Sequence, residues 1–544
     1  MRGLIRSSRP VLGTVLTLLV VAGTLAASGP GASAHKQPRW VRHIRHYDGG
    51  ISNGVRERAA QAAGDIVVSA TAGVRTPRLG PASLDNVQMN GDSNPPLPQD
   101  EPSIAESLVD PMNAVAAAND YTGDGFWIGY TTDGGQTWTS QWKDPKFSFD
   151  GGRCFASDPS VAYSLRDHSF YLSTLCYFST TPASEIQVWK SVDGGATWSD
   201  SFDPATVITN HAADGSIDAS VFYDKELMAI DNTPSSPHYG RIYVTYTKFH
   251  MTGGSYARSD YCPVQAAYTD AIPTADPGAS VWGHTAIVPD APGAKGVGAS
   301  ANQFSTPVVD SHGALDVGFV SEDCNTSIDR AIYFTRSTTG GASFGTVVRV
   351  DQPGWFQDNP NAQDQLPGKG HVRLPNTLSM AYDATRHRLA LIYQNNIDRT
   401  VSGADISLQT SNDFGSSWTP PQTISITPSG AAAPRDQFFP AIGIDSEGTW
   451  VAMWQDTRLD PSNHLISTFQ GESTDGGHTW TNHLISTASF DARKSFFTCG
   501  CFIGDYNQIA VSDRVVLPTW TDGRDSPKKP AGDSNVWTNV EIGT

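Results

Sequence analysis

The sequence predicts an all-β fold: a β-propeller of four-stranded blades, with seven blades favoured and six blades as the alternative. Three observations predict it. A short turn motif recurs five times, a strand opening recurs seven times, and short runs of alternating apolar residues follow each opening. Self-similarity at a spacing of a few dozen residues is typical of a repeat architecture. Short alternating strands bounded by turns are typical of β-sheet repeats.

The turn motif has the pattern Ser/Thr-x-Asp-x-Gly-x-Ser/Thr-Trp/Phe. Its Asp is expected to accept hydrogen bonds from backbone N–H groups two residues further on. Its glycines allow the positive φ of a tight turn, and its aromatic ring packs beneath the turn. Each copy is therefore predicted to be a structural hairpin tip. In the third copy Thr339 replaces the Asp, so we expect that turn to be less well held. The copies are residues 131–138, 191–198, 337–344, 411–418 and 473–480.

The strand opening begins with a polar residue, often followed by Pro, and continues as an alternating apolar run. Successive openings are roughly 57 to 81 residues apart, which suits one four-stranded blade with loop insertions. Six such intervals argue against a two-layer sandwich. We expect the final strand, residues 535–540, to close the ring with a segment near residues 65–68. The openings are marked by Pro102, Pro159, Glu226, Pro307, Leu378, Pro440 and Asn507.

The N-terminus has the pattern of a secretory signal peptide. Arg2, Arg6 and Arg9 precede an apolar run over residues 11–27, and Ala32-Ser33-Ala34 forms a small-residue cleavage site. Residues 1–34 are therefore predicted to be removed, which gives a secreted, extracellular protein without membrane association. We expect residues 35–97 to form an extended arm, residues 98–544 to form the propeller, and the protein to be a monomer.

The charge and the cysteines narrow the function further. A formal net charge of −18 argues against nucleic acid and anionic membranes as partners. Six cysteines in an exported chain suggest disulfides. The pair Cys154–Cys176 is favoured because the two residues lie at the open end of one predicted hairpin, and Cys262–Cys324 is a second candidate. No metal-ligand cluster and no other cofactor are predicted. Many loop Asp residues leave a bound Ca²⁺ open, although no EF-hand loop is present.

The residues just before each opening are expected to surround one mouth of the central channel, because the first strand of each blade lines that channel. These positions are unusually charged. Arg153, Arg373 and Arg435 precede three of the openings by five or six residues. Three guanidinium groups from three blades could converge on one carboxylate, which arginine binds in bidentate fashion.

The turn motifs and the openings resemble the Asp-box, or bacterial neuraminidase repeat, of sialidase-like β-propellers over roughly residues 98–544. That family holds the carboxylate of sialic acid with three arginines. It uses a Tyr nucleophile assisted by a Glu, and an Asp acid/base. The resemblance implies that Arg153, Arg373 and Arg435 bind substrate, that Tyr506 is the nucleophile, and that Asp100, Glu101, Asp158 and Asp505 are the acid/base candidates. His371, in a polar loop over residues 352–373, is a second-choice binding residue.

The implied function is a secreted exo-glycosidase of the sialidase type that hydrolyses terminal sialic acid or a similar acidic sugar. The Arg-Ile-Pro motif of that family is absent, and the first opening instead reads Gln99-Asp100-Glu101-Pro102. Two alternatives therefore stay open. One is a polysaccharide lyase that uses the same arginines to neutralise a uronic acid. The other is a non-catalytic propeller that binds glycan or protein at its mouth.

Overall fold

A computed structural model describes most of the chain from residue 86 onward. The described residues are 86–91, 97–177, 183–199, 204–212, 214–251, 259–288, 302–321, 331–353, 375, 377–398, 403–494, 502–526 and 533–542. The predicted signal peptide lies outside them. No helix in the described part of the chain is long and apolar enough to cross a membrane.

The described chain forms seven antiparallel sheets, which are the blades of a β-propeller, and the prediction of seven blades is confirmed. Blade 1 contains β2 (Gln99–Glu106), β3 (Ala114–Asp120), β4 (Phe126–Thr131) and β5 (Thr139–Lys143). Blade 2 contains β6 (Phe155–Ser164), β7 (Ser169–Tyr177), β8 (Ser184–Ser191) and β9 (Ala205–Thr209). Blade 3 contains β10 (Val221–Ile230), β11 (Ile242–Met251), β13 (Val264–Thr269) and β14 (Gly283–Ala286), with β12 (Ser259–Tyr261) beside β11.

The remaining blades repeat the same order. Blade 4 contains β15 (Gln303–Val309), β16 (Leu315–Val320), β17 (Ile332–Ser337) and β18 (Val348–Asp351). Blade 5 contains β19 (Leu378–Asp383), β20 (Arg388–Asp398), β21 (Gly403–Ser411) and β22 (Gln422–Thr423). Blade 6 contains β23 (Gln437–Ile444), β24 (Trp450–Asp456), β25 (Leu465–Ser473) and β26 (Thr481–Leu484), with β27 (Phe490–Asp491) beside β25. Blade 7 contains β28 (Gln508–Val511), β29 (Val515–Asp522) and β30 (Asn535–Thr538). Two single-turn 3₁₀ helices, Pro277–Ala279 and Ala492–Lys494, lie in connections.

Blade 7 is completed by the two ends of the described chain. The short strand β1 (Val87–Gln88) pairs with β30, with Val87 opposite Thr538. The last strand, β31 (Glu541–Ile542), pairs with β29. The final blade thus closes with an N-terminal segment, as expected, and the segment that pairs with β30 is β1. The predicted closing segment, residues 65–68, lies outside the described residues.

The apolar core lies between the faces of neighbouring blades. Val115 and Ile128 of blade 1 pack with Leu172 and Trp189 of blade 2, and each of these side chains is at most 1% exposed. Inner strands are also linked by hydrogen bonds: the Val161 backbone N–H donates to the hydroxyl of Ser103 in the preceding blade. Each strand has apolar residues on both faces, and stacking of the blades buries both faces.

The turn motifs follow the third strand of their blades and are built alike. In the first copy, Asp133 accepts the backbone N–H and the hydroxyl of Thr137, at 2.9 and 2.6 Å. The hydroxyl of Thr131 accepts the Gly135 N–H, and the indole of Trp138 donates back to the Gly135 carbonyl. The Asp therefore reaches the N–H four residues on, not two as expected, because the leading hydroxyl supports the turn between them.

The third copy of the motif makes the corresponding hydrogen bonds through a hydroxyl in place of the carboxylate, and Phe344 has no indole N–H. Thr339 accepts the Ser343 N–H at 2.9 Å through its single oxygen, which it also shares with the Ser343 hydroxyl. A carboxylate would offer a second acceptor, so the expectation of a less well held turn stays a prediction, tested below.

The favoured disulfide is confirmed. Cys154, just before β6, is bonded to Cys176 near the end of β7. Cys262 is also disulfide-bonded. Its predicted partner Cys324 lies outside the described residues, so that pairing stays a prediction.

Candidate functional site

One β-bulge recurs near the start of the inner strands of blades 1, 2, 3, 4 and 6, and it places one residue of each of these blades around the channel. In five blades this residue has a left-handed backbone, with φ between 51° and 57°. Such a bulge bends the strand locally and changes the direction of a side chain. We call these positions, together with Tyr506 at the same place in blade 7, the ring. The left-handed members are Glu101, Asp158, Lys225, Phe304 and Phe439.

Lys225 is the centre of a charged cluster within the ring. Its Nζ atom lies 3.3 Å from Glu101 Oε1, 3.2 Å from Asp158 Oδ2 and 3.0 Å from Asp505 Oδ2. The ammonium group is 3% exposed and the three carboxylates are at most 1% exposed. Four side chains from blades 1, 2, 3 and 7 thus meet in one water-excluded contact.

Backbone and amide groups hold these carboxylates in place. Asn119 donates to Glu101 Oε2 at 2.7 Å and to Asp100 Oδ1 at 3.1 Å, and its oxygen accepts the backbone N–H of Asp158. The Asp505 N–H donates to Glu101 Oε1 at 3.0 Å. Gly504, at φ +88°, permits this approach, because a Cβ atom there would lie 2.9 Å from the Glu101 nitrogen.

Burial shifts the proton equilibria of the cluster. It raises the pKa of Asp100 and of Glu101 well above the usual carboxyl value, and neighbouring carboxylates raise both further. Burial alone would lower the pKa of Lys225, but Asp158, Asp505 and Glu101 raise it well above its ordinary value. The neighbouring acids therefore favour the charged form of the lysine, while burial favours the protonated forms of Asp100 and Glu101.

Glu226, next to Lys225 on β10, is a further buried acid of this region. It is fully buried, and neither carboxylate oxygen has a hydrogen-bond partner among the described residues. Burial raises its pKa well above normal, and the charge of Asp158 adds to the shift. A protonated Glu226 would be a proton donor without a competing acceptor among these residues.

Tyr506 is the partly exposed member of the ring, but its hydroxyl is buried. No hydrogen-bond partner of that hydroxyl lies in the described part of the chain. Burial, followed by the charges of Asp158, Glu101 and Glu226, raises its pKa well above the usual tyrosine value. The phenol is therefore neutral and needs a base before it can act as a nucleophile.

The rest of the ring is aromatic. Phe304 of blade 4 lies 5.3 Å from Lys225 Nζ, measured to the ring centroid, and the Tyr506 ring lies at 5.1 Å from the same atom. Phe438 and Phe439 of blade 6 pack edge to face at 5.3 Å. Acidic groups on one side and aromatic faces on the other are a combination suited to a sugar.

The structure brings the five predicted chemical groups into one place, and the two described arginines, Arg153 and Arg435, are not among them. Arg153 is 61% exposed and forms an ion pair with Asp124. Arg435 is exposed just before β23, with no ion pair to another described residue. Both arginines are exposed, so neither belongs to the buried cluster. Arg373 and His371 are outside the described residues. The groups that meet are Tyr506, Asp505, Asp158, Glu101 and Asp100.

Lys225 and Glu226 are part of the site but were not among the sequence candidates. Their position carried the signal, since they occupy the opening of blade 3 at the place that Glu101 and Pro102 occupy in blade 1. Arginine is the residue expected to bind a substrate carboxylate, whereas Lys225 binds the acids of its own chain.

A group that could hold a metal ion occurs elsewhere in the described chain. Glu472, His483 and Glu541 have ligand atoms within 4.8 Å of one another, on the third and fourth strands of blade 6 and on the last strand of blade 7. It shares no residue with the ring.

No protein-family model and no curated protein match the chain. Solved structures do match. They include the Hadza microbial sialidase Hz136, with 10% identity and a TM-score of 0.40 over 84% of this chain and 68% of that one. The phage phi92 endosialidase has 9% identity and a TM-score of 0.44 over 85% and 69%. The Fusarium graminearum α-L-arabinofuranosidase Arb93A has 12% identity and a TM-score of 0.40 over 84% and 97%. At these values the similarities carry no inference about activity, which rests on the geometry above.

Proposed function

We propose that the protein is a secreted glycoside hydrolase of the sialidase type, with its reaction at the ring. The observation that carries the proposal is the convergence of a tyrosine hydroxyl, without a hydrogen-bond partner among the described residues, with charged groups from four blades at the mouth opposite the turn motifs. Tyr506 is the proposed nucleophile, and the buried carboxyl groups are the proposed acids and bases.

The chemistry follows from the proton equilibria. A neutral phenol loses its proton to a carboxylate as its oxygen forms the bond to the anomeric carbon, and Asp158 is the charged group that acts most strongly on Tyr506. The departing oxygen takes a proton from a carboxyl group whose pKa is raised, as burial does for Glu101. Water then attacks the anomeric carbon and gives a proton to the Glu101 carboxylate, while the bond to the tyrosine oxygen breaks and that oxygen takes back its proton from Asp158. Two displacements give retention of configuration.

The carboxylate spacing does not by itself separate retention from inversion if a carboxylate served as nucleophile instead. The oxygens of Glu101, Asp158 and Asp505 all lie within 3.3 Å of one nitrogen, so the spacing between any two cannot exceed twice that distance. Inverting enzymes need roughly 6.5–9.5 Å between their carboxyl groups, and retaining enzymes about 5–5.5 Å.

The charges of the cluster limit how it could bind an acidic substrate. The cluster has one ammonium group, already contacted by three carboxylates, so a sugar carboxylate needs a cation from outside it. Arg435 is the exposed guanidinium at the mouth without a described ion pair. We therefore propose a terminal sialic acid, or a similar acidic sugar, whose carboxylate reaches Arg435 while its anomeric carbon reaches Tyr506.

The test is turnover of a fluorogenic α-sialoside by the mature protein and by Tyr506→Phe. The matched control is Tyr130→Phe, on the third strand of blade 1. We expect Tyr506→Phe to abolish turnover and Tyr130→Phe to retain it. Proton NMR of the first product should show retention. Full turnover by Tyr506→Phe would exclude the proposed nucleophile.

The substrate is tested separately by Arg435→Ala against Arg514→Ala, an exposed arginine in the turn between β28 and β29 at the far end of blade 7. We expect Arg435→Ala alone to raise KM at least tenfold. A wild-type protein inactive on sialosides but producing unsaturated uronates from uronic-acid polysaccharides would establish the lyase alternative. Binding on a glycan array without turnover of either substrate would establish the non-catalytic one.

A further inference from the structure

Strand pairing aligns four polar side chains where blade 6 meets the last strand of the chain. Gln470 of β25 lies directly opposite His483 of β26, and Glu472 follows Gln470 by two residues. Because side chains alternate along a strand, these three share one face of the blade. Glu541 of β31 belongs to blade 7 and meets that face.

We propose that His483, Glu472 and Glu541 bind one Zn²⁺ ion, with Gln470 as the fourth protein group of the site. The imidazole Nε2 lies 3.8 Å from Glu472 Oε1 and 3.7 Å from Glu541 Oε1. Tetrahedral zinc with bonds of about 2.0–2.2 Å places its ligand atoms roughly 3.4 Å apart. A contraction of a few tenths of an ångström brings the imidazole and each carboxylate to that spacing.

Gln470 supplies independent support for a bound ion. Its side chain is fully buried, and its amide points into the cluster, where the nitrogen donates to Glu472 Oε1 at 3.2 Å and to Glu541 Oε2 at 3.0 Å. Its amide oxygen has no hydrogen-bond partner within the described part of the chain. Rotating the amide by half a turn presents this oxygen to the ion in place of the nitrogen. Coordination by the oxygen would replace the two hydrogen bonds that the nitrogen donates to Glu472 and Glu541.

The donor set selects zinc over the hard cations. Ca²⁺ takes six to eight oxygen ligands and Mg²⁺ prefers an octahedral oxygen shell, whereas Zn²⁺ accepts imidazole and carboxylate in a four-coordinate shell. The three ligand side chains are between 32% and 42% exposed, which leaves a path for the ion from solvent.

The site would join the outer strands of blade 6 to the end of the chain. Its ligands come from residues 472, 483 and 541, and the last of these is carried by the strand that follows the closing strand of the ring. Zinc would therefore stabilise the folded state by cross-linking blades 6 and 7, and the melting temperature should rise with zinc concentration.

The experiment is isothermal titration of the metal-free mature protein with ZnCl₂, repeated for His483→Gln and Glu541→Gln. The matched control is His478→Gln, an exposed histidine in the neighbouring turn. We expect one zinc per chain in the wild type and in His478→Gln. Each ligand variant should bind at least tenfold more weakly, and Ca²⁺ should not compete. Near-UV circular dichroism checks that the variants fold.

X-ray absorption on the zinc-loaded wild type provides a second readout that does not depend on variants. We expect one imidazole nitrogen in a shell otherwise made of oxygen, at about 2.0–2.2 Å. Equal affinity in the wild type, His483→Gln and Glu541→Gln would overturn the proposal, as would a shell with two or more imidazoles. Absence of zinc binding by the wild type would leave only an ion pair between His483 and the glutamates, and would also overturn it.

Discussion

Replacing Lys225 with Met should remove the single buried cation described in the ring while keeping most of its volume. The ammonium group contacts three carboxylates at 3.0 to 3.3 Å, and none of the four groups is more than 3% exposed. Without it, Glu101, Asp158 and Asp505 would face one another in a medium that screens charge poorly.

The expected loss is about 3–5 kcal/mol of the free energy of unfolding at pH 8, the cost of leaving a buried charge without its partner. Three acids share this lysine, so the upper part of that range applies. The control is Lys146→Met. Lys146 contacts Asp144 at 2.8 Å, but the carboxylate is 46% exposed. Its loss should therefore cost at most about 1 kcal/mol, as for other surface ion pairs.

The loss should depend on pH in a defined direction. Burial raises the folded-state pKa of Glu101, and Lys225 lowers it in part, so the substitution raises it further. A carboxyl group whose pKa is higher in the folded state makes the folded state bind more protons than the unfolded one. Stability then falls as pH rises from the unfolded to the folded pKa. Lys225→Met should therefore cost least near pH 5 and most near pH 8.

Urea denaturation followed by tryptophan fluorescence at pH 5, 6.5 and 8 measures this. A loss at pH 8 below about 1 kcal/mol, the size expected of a surface ion pair, would show that the acids of the ring are already uncharged. A loss that does not change between pH 5 and pH 8 would show the same, and in either case the reasoning would be wrong.

Three further outcomes follow from other groups. Burial raises the pKa of Glu106 to about 8, so stability should fall as pH rises from its unfolded value to that one. Glu106→Gln should raise the free energy of unfolding by at most about 5 kcal/mol above pH 8 and should leave it unchanged near pH 4. Denaturation at both pH values measures this. Asp133 accepts two hydrogen bonds from Thr137, whereas Thr339 has a single oxygen in the same place. Asp133→Ala should cost roughly 1–2 kcal/mol and Thr339→Asp should gain up to about 1 kcal/mol, so the same sign for both melting shifts would contradict this account. Cys154 and Cys176 are bonded across a sequence separation of 22. Replacing both by Ala should cost about 3 kcal/mol, and an unchanged melting temperature would refute that estimate.

The number of blades could be predicted because each blade repeats its own local signals. The register of blade 4 could not. Pro102, Pro159 and Pro440 follow the bulge residue in their blades. Pro307 resembles them, and the sequence therefore predicts that it marks the opening of blade 4. In the structure the bulge precedes Thr306, so the equivalent position is Ser305, two residues earlier. A proline is compatible with the position after the bulge and with the position two residues later. The pairing of β15 with β16 determines which of the two Pro307 occupies.

That the candidate acids and Tyr506 lie close together could be predicted because their place relative to the opening is a property of the repeat. Their contacts were not predictable, since they depend on which blades are neighbours and on how far each side chain reaches. Arg153 illustrates the limit: the sequence places it before β6, but it could not show that Asp124, an acid on a neighbouring loop, pairs with it.

The backbone strain and the charge of the ring have different origins. Left-handed bulge residues cost of order 1–3 kcal/mol each. Phe304 and Phe439 nevertheless adopt the same backbone as Glu101. The bulge therefore belongs to the architecture of the inner strands and says nothing about chemistry. The charges are confined to some blades, and apolar groups of similar volume would stabilise the fold equally well or better. Their presence is what points to function.

A neutral ring separates these two contributions. Lys225→Met combined with Glu101→Gln, Asp158→Asn and Asp505→Asn removes the ammonium group together with the three acids that contact it. Since no charge is left without a partner among these four, we expect the variant to regain most of the stability that Lys225→Met loses at pH 8. If the acids perform the chemistry, the same variant should have no turnover. If stability recovers and turnover is complete, the cluster only joins the blades. If stability does not recover, hydrogen bonds and not charge make Lys225 necessary.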